Sequence, residues 1–230
     1  MKTSADISFR GTLTFCLMLF LSLMTACGGV RYDGKEKAGY AVASWYGPGF
    51  HGKLTASGET YDMYSMTCAH KSLPFGTRLR ITNVSNSMSV DVTVNDRGPF
   101  VSGRDIDLSY SAAKAIGLIG TGTGKIKVEY IGRDSGYIKQ VGFSKSFTAK
   151  EGPYTIQVGS FKDEENASRL KDSLELKYKG VYITTATIEG QKHYRVRVGK
   201  FQTKHRALRN AQVLAEEGYS ILITNYDEEI

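Results

Sequence analysis

Ser89-Val90-Asp91-Val92-Thr93-Val94-Asn95-Asp96 is the stretch that decides which fold this chain can adopt. Val90, Val92 and Val94 alternate with Ser89, Asp91, Thr93 and Asn95, the period-two pattern of a strand with one buried face. Ser85-Asn86-Ser87, just before it, reads as a hairpin turn. Asp96 has the parity of the valines, so a strand running that far turns its carboxyl toward the barrel side. Desolvation there raises a carboxyl pKa. A carboxyl that stays protonated near neutrality can donate to a leaving oxygen. Arg97, if it reaches this carboxyl, acts in the opposite direction. The alternative reading makes Asp96 a turn residue that caps the backbone ahead of Gly98-Pro99.

Outward from that strand, short β signals recur at residues 41–46, 78–84 and 125–131. One helix is expected at 109–116, with Ser109 as N-cap, Ala112, Ala113 and Ile116 facing inward, and Gly117 ending it. Several short strands and one brief helix across residues 40–131 point to a small barrel rather than a layered α/β sheet.

Upstream lies Ala56-Ser57-Gly58-Glu59-Thr60-Tyr61-Asp62-Met63-Tyr64-Ser65-Met66-Thr67-Cys68-Ala69-His70, followed by a corner at Pro74 and Gly76. It sets two carboxylates, Glu59 and Asp62, close to the imidazole of His70. A spacing of three suits one face of a helical turn or a loop folded around a ligand, and Gly52 and Gly58 allow tight backbone. Composition alone favours a solvated polar loop, and His70 either orients a carboxylate or is an ordinary satisfied histidine. His51 adds a second imidazole, but no His-x-x-x-His or Cys/His spacing supports a metal, and no cofactor is expected. Cys68 and His70 are two apart on one segment, a poor geometry for a thiol nucleophile and its base.

The chain of 230 residues has room for two small domains. Its formal charge of +7 invites a nucleic-acid reading, but the location of the charge does not. Residues 38–131 carry nine basic and seven acidic side chains, and residues 151–230 carry twelve of each. The excess lies in the leader and linkers, so no concentrated basic face exists for DNA or RNA. The three cysteines, Cys16, Cys27 and Cys68, cannot make a disulfide framework.

At the N-terminus, Lys2 and Arg10 precede an apolar stretch at 13–24 that ends in Met24-Thr25-Ala26-Cys27. That length fits a signal-peptide core and falls short of the roughly 20 residues a spanning helix needs. Small residues directly before a cysteine mark a bacterial lipobox, so residues 1–26 read as a lipoprotein signal peptide and Cys27 as the lipidated residue. Acyl chains at about 0.8 kcal/mol per buried CH₂ give a lasting anchor. Met24 is a departure, since Leu is usual there. Gly28 in place of Asp favours the outer membrane. A plain secreted protein with an incidental Cys27 is the other reading. Residues 27–39 read as a glycine-rich tether.

Residues 132–150 read as a linker without sustained periodicity. From residue 151 onward the pattern becomes strand–helix–strand–strand–helix–strand, at 154–159, 165–178, 181–188, 193–199, 204–217 and 220–225. Val158-Gly159-Ser160-Phe161 matches Val198-Gly199-Lys200-Phe201, and Ala167 matches Ala207, an internal repeat at an offset of forty. Two such halves make a ferredoxin-like sheet. The helices bury Ala167, Leu170, Leu174 and Tyr178 in one half and Ala207, Ala211 and Leu214 in the other. Ile156, Val158, Val196 and Val198 should face them, leaving Gln157, Arg195 and Arg197 on the open face. Amide and guanidinium groups there suit sugar hydroxyls and acetamido groups, unless the face is merely solvated.

Six blocks, in order, resemble the rare lipoprotein A pattern: Ala43-Ser44-Trp45-Tyr46-Gly47, Phe50-His51-Gly52, the Glu59–Asp62 block, the segment Ala69-His70-Lys71-Ser72-Leu73-Pro74-Phe75-Gly76-Thr77, Asn95-Asp96-Arg97-Gly98-Pro99-Phe100 and Gly103-Arg104-Asp105-Ile106-Asp107-Leu108-Ser109. Residues 151–230 resemble SPOR domains, which bind glycan strands stripped of stem peptides. The resemblance implies a mainly β plus α+β chain, a six-stranded double-psi β-barrel followed by a ferredoxin-like βαββαβ domain. It carries over Glu59, Asp62, His70 and Asp96 as functional positions, with Cys68 departing from the usual alanine. It implies an endolytic lytic transglycosylase that cleaves the MurNAc-β-1,4-GlcNAc bond and closes a 1,6-anhydro ring. The incoming nucleophile is then the sugar's own hydroxyl, so the two-carboxylate rule of ordinary glycosidases does not apply. Asp96 is the expected acid/base. Glu59, Asp62 and His70 would position the sugar or stabilise charge, with Arg97 among the sugar contacts. Trp45 and Tyr46 either stack on sugar rings or are core aromatics. Expected partners are denuded peptidoglycan strands, the outer membrane through a lipid anchor, and division-site proteins, in the periplasm at the septum. The alternative is a non-catalytic, expansin-like septal lipoprotein that only binds peptidoglycan.

Overall fold

The structure is a computed structural model that describes residues 38–145, 147 and 152–226. The leader, Cys27 and most of the tether lie outside the described residues. The first domain is a closed six-stranded barrel: β1 (Gly39–Trp45), β2 (Thr67–His70), β3 (Thr77–Asn83), β4 (Ser89–Asp96), β5 (Ile106–Leu108) and β6 (Gly124–Arg133), in the order β1-β5-β2-β4-β3-β6. Pairs β1–β5 and β2–β4 are parallel; the rest are antiparallel. Closure satisfies every edge. Its core includes Leu79, Ile81, Val92, Val94, Ile106, Leu108 and Ile126, alternate residues where β3, β4 and β5 contribute more than one.

Helix α1 (Tyr110–Ala115) starts where the sequence places it, with Ser109 Oγ accepting from the Ala112 amide. Ala112, Ala113 and Ile116 are fully buried. Strands β2 and β5 carry too few residues to show a period and are absent from the sequence reading.

The second domain is a five-stranded sheet ordered β7-β11-β8-β10-β9: β7 (Val141–Phe143), β8 (Tyr154–Phe161), β9 (Val181–Ile188), β10 (Gln191–Phe201) and β11 (Ile221–Asn225). Helices α2 (Glu164–Glu175) and α3 (Lys204–Glu216) cover one face. Ala167, Leu170, Leu174, Ala207, Ala211 and Leu214 are buried against Ile156, Val158, Val196 and Val198, whereas Tyr178 is only partly so. The repeated Val-Gly-x-Phe has a packing cause. Phe161 lies over Gly159, whose absent Cβ would fall 2.7 Å from the ring.

The stretch 132–150 corrects the linker expectation. Strand β6 runs into it, residues Ser135–Tyr137 form a 3-10 turn, and β7 adds a parallel edge to β11. Three residues pair with a strand eighty positions away, a partnership no local periodicity announces.

Gly76 (φ +81) anchors this stretch: its amide donates to Val94 O, its carbonyl accepts from Asp134 N, and an added Cβ would lie 2.6 Å from Asp134 O. Gly76→Ala should therefore lower stability by about 2 kcal/mol or more. Thermal denaturation checks this, with Gly120→Ala, which meets nothing within 4 Å, expected within about 0.5 kcal/mol of the parent.

Candidate active site

Strands β2 and β4 run parallel, so His70 and Asp96, each the last residue of its strand, arrive at the same end of the barrel. There, Asp96 Oδ2 accepts from Tyr46 Oη at 2.8 Å, and Oδ1 accepts from the Ala56 amide and from its own neighbour's amide, Arg97 N, both at 2.8 Å. Burial raises the carboxyl's pKa above the ordinary range, while those donors and the more distant Arg169 pull it down. Desolvation wins. The parity argument for Asp96 needs correction. The register skips between Cys68–Val94 and Ala69–Asp96, breaking the alternation, so burial comes from Tyr46, the 54–56 loop and α2 instead.

Tyr46 follows β1, with its ring 4.8 Å from Tyr61 and 5.5 Å from Phe50. Burial first, and the neighbouring Asp96 carboxylate second, push its phenol well above the usual range. It therefore stays a donor. Of the two readings of Tyr46, sugar stacking or core aromatic, the packed ring fits the second, and its hydroxyl turns to Asp96. Trp45 meets Tyr110 edge-on at 5.8 Å and is half-buried.

Glu59 and Asp62 hold separate partners rather than one shared face. Glu59 Oε2 accepts from Asn95 Nδ2 at 2.9 Å and from Tyr137 Oη at 3.0 Å, which ties it to the residue beside Asp96. Asp62 accepts from Tyr64 N and Ser65 Oγ and stands 3.8 Å from His51 Nδ1. Those hydrogen bonds lower its pKa and keep it an exposed carboxylate. Asn95, Tyr137 and Arg169 are site residues that the sequence reading missed. Tyr137 lay in the supposed linker and Arg169 in the other domain.

His70 Nδ1 accepts from the amides of Ser72 and Leu73 at 3.1 and 3.0 Å. Those two bonds assign the proton to Nε2. Burial, then Arg97, lower the imidazole's pKa to about 4. His70 is thus a neutral N–H donor at neutral pH. Cys68 is buried and its thiol is pushed far up by burial, so it is no nucleophile.

Arg97 does not reach the Asp96 carboxylate. Its guanidinium lies 3.7 Å from the Phe75 ring centroid and 5.0 Å from that of Tyr219, Nε donates to Tyr219 Oη at 2.7 Å, and Nη1 reaches His70 O at 3.5 Å. With 4% exposure, it faces the second domain rather than a sugar.

On the second domain, Gln157, Arg195 and Arg197 share the sheet face opposite the helices, with Arg197 paired across from Gln157 and Arg195 from Ser160. Gln157 lines a groove of about 530 Å³ with Lys139, Gln140, Ser160 and Leu222. Arg197 is sunk in that face at 3% exposure, which corrects its expected openness; Arg195 is partly exposed. Among the described residues no group of three or more His, Cys, Asp or Glu side chains could hold a metal.

Comparison with known proteins bears on both domains. Residues 38–130 match the family model described as "Lytic transglycolase", and residues 150–223 the one described as "SPOR domain". The endolytic peptidoglycan transglycosylase RlpA of Helicobacter pylori is 36% identical over 198 residues, 78% of this chain and 60% of that one. Its namesake from Campylobacter jejuni is 42% identical over 56% of this chain and 52% of its own. The one from Pseudomonas aeruginosa is 53% identical over 46% of this chain and 32% of its own. The chain thus spans 60% or less of these relatives' lengths.

Two titrations test the electrostatics. Followed by carboxyl-carbon NMR, Asp96 should titrate above the usual Asp range, and higher still in Tyr46→Phe, which loses a donor to the carboxylate. His70 is held neutral in the fold, so its contribution to stability is complete above its unfolded value of about 6.5 and fades as pH falls toward about 4. Denaturant midpoints should accordingly fall less steeply over that window in His70→Asn than in the parent.

Proposed function

The chain belongs to the rare lipoprotein A (RlpA) family, and on that premise we propose that it is a lytic transglycosylase of peptidoglycan glycan strands. One observation carries this reading: a carboxyl with a raised pKa, Asp96, half-buried beside a phenol and an amide that both donate to it. A protonated Asp96 gives its proton to the glycosidic oxygen as the C1–O bond breaks, the bonding electrons leaving with that oxygen. The resulting carboxylate, stabilised by Tyr46 Oη and the Ala56 amide, takes the proton from the muramoyl 6-hydroxyl as that oxygen bonds to C1. The products are a free 4-hydroxyl end and a 1,6-anhydro end. No water is consumed.

The remaining groups suit binding and charge stabilisation. The Nε2–H of neutral His70 supports a hydrogen bond to a sugar oxygen. Glu59, anchored by Asn95 and Tyr137, offers its other oxygen, and Asp62 remains an ionised acceptor at the loop's exposed side. Positioning of this kind lowers barriers without further chemistry.

The finer parts of the reading belong to the same proposal. The second sheet's open face, with Gln157, Ser160 and Arg195, binds denuded strands and brings the barrel to the division septum. Lipidation at Cys27 holds the chain on the periplasmic side of the outer membrane, within reach of division-site proteins. The sequence signals at 24–28 support the anchor.

Digestion of peptide-free glycan strands, analysed by mass spectrometry, should yield 1,6-anhydro ends. Asp96→Asn should reduce that product by at least about 10²-fold while strand binding persists. Active-quality protein that binds strands but releases no anhydro product would leave only a binding function, as in the expansin-like alternative.

A further inference from the structure

The cleft at Asp96 has walls from two domains. Asp96 and Ala56 line the barrel side; Phe161 and the α2 residues Asn166, Arg169 and Leu170 line the other. The space left is about 20 Å³, room for about one water. No sugar ring enters it. Arg169 stands over the Phe50 ring at 5.3 Å and is one of the cations acting on Asp96, so charge as well as volume fills the cleft.

The contact that closes it is specific. On the barrel it uses the loop after β2 and the residue after β4, next to His70 and Asp96. Arg97 is gripped by Tyr219, Ser173 Oγ donates to Lys71 O at 3.1 Å, Lys177 Nζ to Ser72 O at 2.6 Å, and Phe75 N to Glu217 O at 2.9 Å. Gly218 (φ +99) lets the two surfaces meet: a Cβ there would lie 2.9 Å from Phe75 Cβ.

We propose that the docked second domain is an autoinhibitory lid, which α2 closes over Asp96 and which a glycan strand long enough to engage both domains opens. The proposal rests on the enzymatic reading above. A ligand shifts a conformational equilibrium only through differential affinity for the two states. A long strand has it, because it spans the sheet face and the Asp96 cleft only when α2 has moved away, and the bound strand then takes over α2's share in shielding Asp96 from water. A short oligosaccharide lacks the second contact. The groove on the sheet also includes Lys139 and Gln140, close in sequence to Tyr137, whose hydroxyl holds Glu59. Occupation of the groove therefore acts on the segment that joins the domains.

The test uses the full chain and two variants that disturb the contact away from the cleft. Ser173→Arg wedges a long cation into a site with 3% exposure, and Lys177→Glu removes a donor and adds repulsion. Small-angle scattering should show a larger radius of gyration in at least one. Cleavage of a peptide-free tetrasaccharide should then rise at least fivefold, and cleavage of long strands less than twofold. Calorimetric binding of the same tetrasaccharide, stronger in the wedged variant than in the parent, reads closure without catalysis. If no form cleaves anything but binding rises, the enzymatic reading fails and the lid stands. Parted domains with unchanged tetrasaccharide binding and cleavage would overturn the lid, as would an unchanged radius of gyration in both folded variants.

Discussion

Asp96 and Arg97 are adjacent in the chain, and the site depends on their not neutralising each other. A guanidinium paired with a carboxylate lowers its pKa by roughly 1–3 units, which would leave an ion where the proposed chemistry needs an acid. The fold keeps them apart by giving each its own partners. The carboxylate takes a phenol and two amides; the guanidinium takes two aromatic rings, the Tyr219 hydroxyl and the His70 carbonyl. Burying an arginine without partners costs several kcal/mol, and the barrel alone supplies only Phe75 and one carbonyl. Tyr219 of the second domain adds a second ring and an acceptor for Nε, leaving Nη2 buried without a hydrogen bond. The separation that protects the acid therefore also fastens the domains together.

Parallel pairing of β2 and β4 makes this possible. Strands that run the same way deliver their C-terminal ends to one edge of the barrel, so His70 and Asp96 share an edge across 26 residues of sequence. Loops leaving that edge then serve both purposes. Residues 71–76 and 97 hold the second domain, while the 54–59 loop brings the Ala56 amide to Asp96 and the Glu59 carboxylate to the neighbouring Asn95. Around them the imidazole is held neutral and Asp62 ionised, while burial raises the pKa of the Asp96 carboxyl. Pairs of titratable groups pushed in opposite directions are how a fold assigns acid and base roles.

Much of this was legible from the residues. The valine alternation of β4, the capped helix at 110–115 and the forty-residue repeat of the second domain each bury a face through short-range periodicity, and period is visible in a sequence. The four candidate positions also came from the sequence, through blocks that match a family pattern in order. Their partners did not. Tyr46 was legible as an aromatic but not as a donor to Asp96, and Arg97 as a cation but not as a clasp between domains. Tyr137 sat in a stretch too irregular to read, and Arg169 in a helix whose periodicity announces only what it buries.

By itself, then, the sequence determined the two folds and the identity of the polar groups at the barrel's edge, because backbone propensity, alternation and capping act over a few residues. Tertiary structure alone decided which of those carboxyls has a raised pKa, which imidazole stays neutral and which cation is withdrawn into the domain boundary. Protonation and access depend on desolvation and on donors brought from 40 or 50 residues away, and no local pattern encodes those distances.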